Sequence, residues 1–172
     1  KESKTIRFEG NGYSDEWEKE AAKRGLSNIK TTPKALDAYV SKKTTELFTS
    51  ANIFTERELH ARHEIRLEMF TKKLQIESRV MGDLVGNHII PTALTYQNKL
   101  IENVKGLKEI GLDKKSYEAQ LDIIRQISEH VLVIKNAVDD MIEARKKANN
   151  IEDGREKAVA YDEKVKAYFE TI

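Results

Sequence analysis

One run of residues limits this chain more than any other. Tyr117, Leu121, Ile124, Ile127, Val131, Ile134, Val138 and Met141 follow one another at steps of 4, 3, 3, 4, 3, 4 and 3. That near-heptad alternation keeps eight apolar side chains on one stripe of a long helix and suits left-handed bundle packing. No glycine or proline interrupts the chain between Gly111 and Gly154. A helix cannot bury its own stripe, so the sequence calls for companion helices of similar length.

Those companions are legible. Thr55-Glu56-Arg57-Glu58 is a capping box, with Phe54 and Leu59 placed as a hydrophobic staple around it. The helix it opens, 55–90, carries Leu67, Phe70, Leu74, Met81 and Val85 at three- and four-residue steps, and Ile76, Val80 and Leu84 widen the stripe. At 1.5 Å per residue it runs roughly 54 Å, longer than a small globule accommodates. Pro91 lacks an N–H and crowds the carbonyl of Asn87, so a kink or short break is expected there. The pattern resumes over 92–110 with Ala93, Leu94, Gln97, Leu100, Ile101, Val104 and Leu107, and Gly111 stops it. Asp113 or Ser116 caps the long helix 114–149, and a last helix, about 152–170, carries Ala158, Tyr161, Val165 and Tyr168.

The first 54 residues read differently, as a short extension before the bundle. Residues 4–9 alternate apolar and polar, with Ile6 and Phe8 on one face, and read as a strand closed by Gly10-Asn11-Gly12. A lone strand needs a partner for its backbone, and no second strand is legible. Short helices follow at about 14–24, capped by Ser14, and at about 33–49, capped by Thr32 with Pro33 in its first turn. The expected fold is therefore all-α. It is an elongated bundle of long antiparallel helices over 55–172, with a short strand-and-helix extension over 1–54.

Charge and composition close off several functions. Lys and Arg number 30 against 29 Asp and Glu, a net charge of +1. A nucleic-acid clamp needs a positive surplus, so no nucleic-acid partner is expected. The pairs Lys42-Lys43, Lys72-Lys73 and Lys146-Lys147 each have acidic neighbours and no aromatic platform. No apolar run approaches the ~20 residues of a membrane span, and no membrane partner is expected. The chain has no cysteine, which removes disulfides, thiolate metal sites and a cysteine nucleophile and fits a reducing, cytoplasmic location. Lys1 stands where an initiator methionine would, so the chain reads as a processed or excised piece.

The candidate chemistry is thin. His60 and His63 are three residues apart, with Glu56 and Glu64 nearby, but Leu67 occupies the second histidine position that a His-Glu-x-x-His zinc site requires. Glutamate is missing three residues before His60, His63, His88 and His130, where Arg57, His60, Val85 and Ile127 stand, so the di-iron pattern fails as well. Gly10-x-Gly12 lacks the third glycine and the lysine of a phosphate loop and reads as a turn. Asn87-His88, with Gly82 and Gly86 at i, i+4, reads as tight helix packing at a kink, with the lining of a site as the other reading. Asp139-Asp140 and Glu152-Asp153 read as surface carboxylates or helix ends. No catalytic, cofactor-binding or metal-binding residue is assigned.

A family resemblance supplies what spacing does not. The run Arg7-Phe8-Glu9-Gly10-Asn11-Gly12-Tyr13-Ser14-Asp15-Glu16-Trp17, then Ala22 to Asn28 and Lys30 to Leu36, resembles the segment that follows the catalytic domain in type III glutamine synthetases. The likeness returns at Lys73-Leu74-Gln75-Ile76-Glu77-Ser78-Arg79-Val80, at Asn87-His88-Ile89-Ile90-Pro91-Thr92-Ala93, at Tyr96-Gln97-Asn98 and at Glu102 to Lys108. It covers about 6–110, beyond which only a helical pattern in keeping with the family is visible. The resemblance implies a parent enzyme that joins glutamate and ammonia with ATP and a divalent metal, Mg2+ or Mn2+, in a large ring-shaped oligomer. The family's ligands lie upstream, so none is carried onto these residues, and Thr5–Glu9 would complete the parent's sheet. The implied role is structural, with the chain's own catalytic domain and neighbouring subunits as partners. A free-standing helical interaction module stays open as the second reading.

Overall fold

In the computed structural model, which describes residues 6–172, Thr55 starts the longest helical run. Its hydroxyl accepts from the Glu58 amide at 3.3 Å, while the Glu58 carboxylate accepts from the Thr55 amide and hydroxyl, each at 2.8 Å. These bonds satisfy donors that a helix start otherwise leaves orphaned. Leu59, one turn in, is fully buried. Phe54 packs its ring 5.7 Å from Phe48 under the Arg62 guanidinium.

The elements in chain order are α1 (Asp15–Lys23), α2 (Thr32–Leu36), a 3-10 turn (Asp37–Val40), α3 (Lys42–Ser50), α4 (Glu56–Leu84), a π turn (Val85–Ile89), α5 (Ile90–Glu109), a 3-10 turn (Lys114–Tyr117), α6 (Glu118–Asn149), α7 (Gly154–Ala160), a second π turn (Tyr161–Val165) and a final 3-10 turn (Lys166–Tyr168). No strand occurs among the described residues, and the architecture is all-α. α6 returns antiparallel along α5 and passes the first π turn to reach α4. α7 and the turns after it fold back between α4 and the C-terminal end of α6.

Two expectations are corrected, and at Pro91 the short break, one of the two alternatives expected there, is excluded. Of the strand placed at 4–9, residues 4 and 5 lie outside the described residues, and 6–9 form no strand because no described segment pairs with them. Instead Phe8 stacks its ring centroid 4.8 Å from Trp17, and Arg24 Nη1 donates to the Ile6 carbonyl at 2.8 Å. The single helix expected over 33–49 is split at Ser41, whose extended backbone and hydroxyl cap α3. At Pro91 the helix does not end. The π turn carries the Ile90 N–H to the carbonyl of Val85, five residues back. A wider turn relieves the crowding between the proline ring and Asn87 and lets α4 run on into α5.

The core lies where three helical segments meet. Leu74 of α4, Met141 and Ala148 of α6, and Tyr161 and Val165 of the second π turn are buried together, with Phe70, Met81 and Tyr168 packed around them. The bonding at this junction is tight. Asn149 Oδ1 accepts from Tyr161 Oη at 2.6 Å and from Gln75 Nε2 at 2.8 Å. Beyond this junction α5 and the first half of α6 form a two-helix arm. Along it Leu121, Ile124, Ile127, Val131 and Ile134 are all only half-buried. Gln97 is the polar exception inside the arm, donating to the Ile124 carbonyl at 2.8 Å and to Ser128 Oγ at 2.6 Å. Gly25 (φ 69°) and Gly111 (φ 84°) end α1 and α5 in the left-handed conformation that a Cβ disfavours.

Candidate functional site

Among the described residues, no group of three or more His, Cys, Asp and Glu side chains is placed to hold a metal ion. His60 and His63 share α4 but not an environment. His60 is exposed, with Nε2 4.0 Å from Glu56, while His63 is buried. The donor set therefore does not fit the divalent metal that the family resemblance implies for its parent, and no nucleotide cradle forms at Gly10-Asn11-Gly12. There the Asn11 side chain accepts from the Tyr13 amide at 3.0 Å. A Cβ on Gly10 would lie 2.6 Å from the Phe8 ring, which is reason enough for glycine.

The other sequence candidates are dispersed. Asp139 pairs with Lys135 one turn away, and Asp153 caps α7 by accepting from the Glu156 amide at 2.7 Å. Lys72 pairs with Glu68 and Lys146 with Glu143, each at 2.6 Å, and Lys42 lies 3.9 Å from Glu46. Asn87 is exposed and donates to Asp83 at 2.6 Å. The tight packing read at Gly82 and Gly86 is not found. A Cβ on Gly82 would meet Val138 at an ordinary 3.7 Å, and one on Gly86 would meet nothing within 4 Å.

Two of the concave surfaces among the described residues bear on function. The first, a cavity of about 560 Å³, lies between α4 and the start of α7 and is lined by His63, Glu64, Thr71, Asp153, Arg155 and Lys157. His63 Nε2 is buried with no hydrogen-bond partner among the described residues. Beside it Arg155 Nε and Nη2 each donate at 2.6 Å to the two oxygens of Asp37. That bidentate bond, aided by the charges of Arg155 and His63, outweighs burial and holds the Asp37 carboxyl below its ordinary range. The same bond raises Arg155. Sequence reasoning missed this pair because its partners are 118 residues apart and nothing local marks either.

The second surface is an apolar groove of about 500 Å³ between α4 and the C-terminal residues, lined by Ile76, Val80, Leu84, Ile89, Phe169 and Ile172, with Glu77 its one charged side chain. The half-exposed stripe was visible in the sequence as the widening of the α4 pattern. The groove itself needed the C-terminal residues to fold back.

Comparison with known proteins supplies what the geometry alone does not. A family model described as "Glutamine synthetase C-terminal domain" matches residues 1–108. The chain is 49% identical over 174 residues to a glutamine synthetase of Bacteroides fragilis, an alignment covering 99% of this chain and 24% of that protein. It is 32% identical over 164 residues to a glutamine synthetase of Butyrivibrio fibrisolvens, covering 95% and 23%. It is 34% identical over 140 residues to a type-3 glutamine synthetase of Dictyostelium discoideum, covering 81% and 18%. The chain thus spans about a quarter or less of the length of these relatives. With more than half its residues inside the family's match, the chain belongs to the glutamine synthetase C-terminal domain family.

Proposed function

We propose that this chain is a structural element of a type III glutamine synthetase: it braces the catalytic part of the enzyme, joins neighbouring subunits and carries none of the chemistry. The whole enzyme, on this reading, condenses glutamate with ammonia at the expense of ATP, with a divalent metal bound elsewhere. The carrying observation is the α5–α6 arm. Its seam of Leu121, Ile124, Ile127, Val131 and Ile134 is left half-buried by two helices. A bundle that closed on itself would bury such a seam. The dispersed carboxylates and lysines support the same reading, since acid–base work needs titratable groups converging in a cleft.

The test is direct. The purified chain, given glutamate, ammonia, ATP and Mg2+, is expected to form no glutamine. A type III glutamine synthetase shortened by the segment equivalent to 55–172 is expected to lose its assembled state and most of its activity. Glutamine formation by the chain, or full assembly and activity of the shortened enzyme, overturns the proposal.

A further inference from the structure

Asn11 is the only asparagine of the chain that glycine follows. Both residues are exposed, in the turn that leads into α1. The Tyr13 N–H donates to Asn11 Oδ1 at 3.0 Å. That bond folds the Asn11 side chain over the Gly12 peptide, as an Asx turn does. It also draws electron density away from Cγ. The Gly12 N–H donates to no group among the described residues, and a Cβ on Gly12 would meet nothing within 4 Å. A polarised amide carbon thus faces an unbonded, unhindered nitrogen one residue further on.

The other asparagines lack this combination. Asn87, Asn98, Asn103 and Asn136 lie inside helical turns, where the next N–H is held by a carbonyl of the same helix. After Asn52 the Ile53 N–H donates to Phe48 at 3.0 Å, after Asn149 the Asn150 N–H donates to Lys147 at 3.2 Å, and after Asn150 the Ile151 N–H donates to Ala148 at 3.3 Å. Asn28 precedes Ile29, whose β-branched side chain crowds its own nitrogen. Asp153 also precedes a glycine, but a carboxylate has no amine to expel and its charge repels an approaching nitrogen anion.

We infer that Asn11 is a site of spontaneous covalent modification, where the turn converts its own asparagine to isoaspartate and aspartate. Hydroxide takes the Gly12 N–H proton, and the nitrogen attacks Asn11 Cγ. Negative charge builds on Oδ1, which the Tyr13 N–H already holds. The Cγ–Nδ2 bond breaks, Nδ2 takes a proton from water and leaves as ammonia, and a cyclic succinimide remains. Water then opens the ring. Breaking the nitrogen from Cγ gives aspartate, and breaking it from the main-chain carbonyl carbon gives isoaspartate. In sum, water is consumed, ammonia is released and nothing is oxidised or reduced. In isoaspartate the main chain runs through Cβ and Cγ. The carbonyl that accepts from the Ser14 amide at 3.1 Å and the Ser14 hydroxyl at 2.8 Å then leaves the backbone. The connection between Phe8 and Trp17, whose rings stack at 4.8 Å, gains a carbon. The modification therefore slackens the joint that docks residues 6–10 on α1.

The test incubates the full chain near body temperature at neutral and mildly alkaline pH, then weighs its peptides by mass spectrometry. Methyl transfer from S-adenosylmethionine by an isoaspartyl methyltransferase counts the isoaspartate. Residue 11 is expected to convert before every other asparagine, at a rate that rises with hydroxide. Gly12→Ala, which the open space accommodates, should slow conversion about tenfold by restricting the rotation that closes the ring. Asn11→Gln, which must close a larger ring, should stop it on the same timescale. Repeating the incubation in guanidinium isolates what the turn contributes. The folded chain should convert about tenfold faster than the unfolded one, the equivalent of about 1.4 kcal/mol, or one net hydrogen bond to the developing charge. Emission of Trp17, the single tryptophan, should move to longer wavelength in the isoaspartyl form. Asn11→Asp adds the charge without the extra backbone carbon and should leave the emission unchanged. A folded chain that converts no faster than the unfolded one overturns the inference, as does earlier conversion at Asn28 or at Asp153. Isoaspartate at residue 11 with unshifted Trp17 emission overturns the slackening of the joint.

Discussion

Arg155 holds Asp37 through two parallel bonds of 2.6 Å, Nε to one carboxylate oxygen and Nη2 to the other, and so fastens the turn after α2 to the first turn of α7. Lys34 makes a second link between the same regions by reaching Glu163 at 2.8 Å. A bidentate guanidinium–carboxylate pair fixes orientation as well as distance. These bonds therefore set how the N-terminal helices sit on the bundle.

The pair should give a pH signature. Asp37 is held below its ordinary value, first by the hydrogen bonds from Arg155 and then by the charges of Arg155 and His63. A depressed carboxylate stabilises the fold above its unfolded pKa of about 3.9, and that contribution disappears as pH falls through the folded value. Asp37→Asn is therefore expected to melt below the parent chain at pH 7, with the gap closing as pH falls from about 4 toward 2. Thermal unfolding followed by circular dichroism at four or five pH values checks it. A gap that widens in acid contradicts the assignment.

The junction at Asn149 allows an ordering test. Tyr161 is fully buried and donates to Asn149 Oδ1, which also accepts from Gln75. Tyr161→Phe removes one donor and leaves Asn149 with its other partner, a loss of about 1 kcal/mol. Asn149→Ala strands the buried Tyr161 hydroxyl and should cost more, about 1–3 kcal/mol. Met141→Ala, in the adjoining core, should cost about 2–5 kcal/mol by opening a cavity. Urea unfolding of the three variants should give the order Tyr161→Phe, Asn149→Ala, Met141→Ala in increasing loss. Equal losses for the first two would mean the hydroxyl finds another partner.

Local rules carried the reading of this chain furthest where the cause was local. The Thr55 capping box and the glycine ends of α1 and α5 lie in a few consecutive residues, and the α6 stripe is a periodicity, so all were legible. Ser41 was local too, but one serine inside an amphipathic pattern is a weak signal, and the break it makes was missed. The alternation of Ile6 and Phe8 misled because period two marks a strand only when a partner is present. Here Trp17 takes Phe8 instead. The Asp37–Arg155 link, the junction at Asn149 and the groove under Phe169 all join residues far apart in sequence. Periodicity says that a face is buried but not which residue meets it. The candidate sites failed for the same reason: His60 and His63 are neighbours in spacing, yet the fold turns one outward and buries the other.

Pro91 offers the last test, because the π turn makes a definite claim about what proline does in this helix. An α-helical turn at this position would place the proline ring against the Asn87 carbonyl, and the wider turn, with Ile90 bonded to Val85, avoids that. Side chains on either side are nevertheless in register for the bundle: Val85 and Gln97 are both buried. The extra residue is thus built into the positions of everything downstream. Pro91→Ala restores an N–H without changing that register and should stabilise the chain by about 1–2 kcal/mol, part of the cost of an interior proline. Deleting His88 removes the extra residue, rotates α5 by about 100° against α4 and turns Gln97 and Val104 away from α6. That deletion should lower the melting temperature sharply, and combining it with Pro91→Ala should not rescue it. If the deletion proves harmless, the π turn is only an accommodation of the proline; if Pro91→Ala destabilises the chain, proline itself shapes the turn.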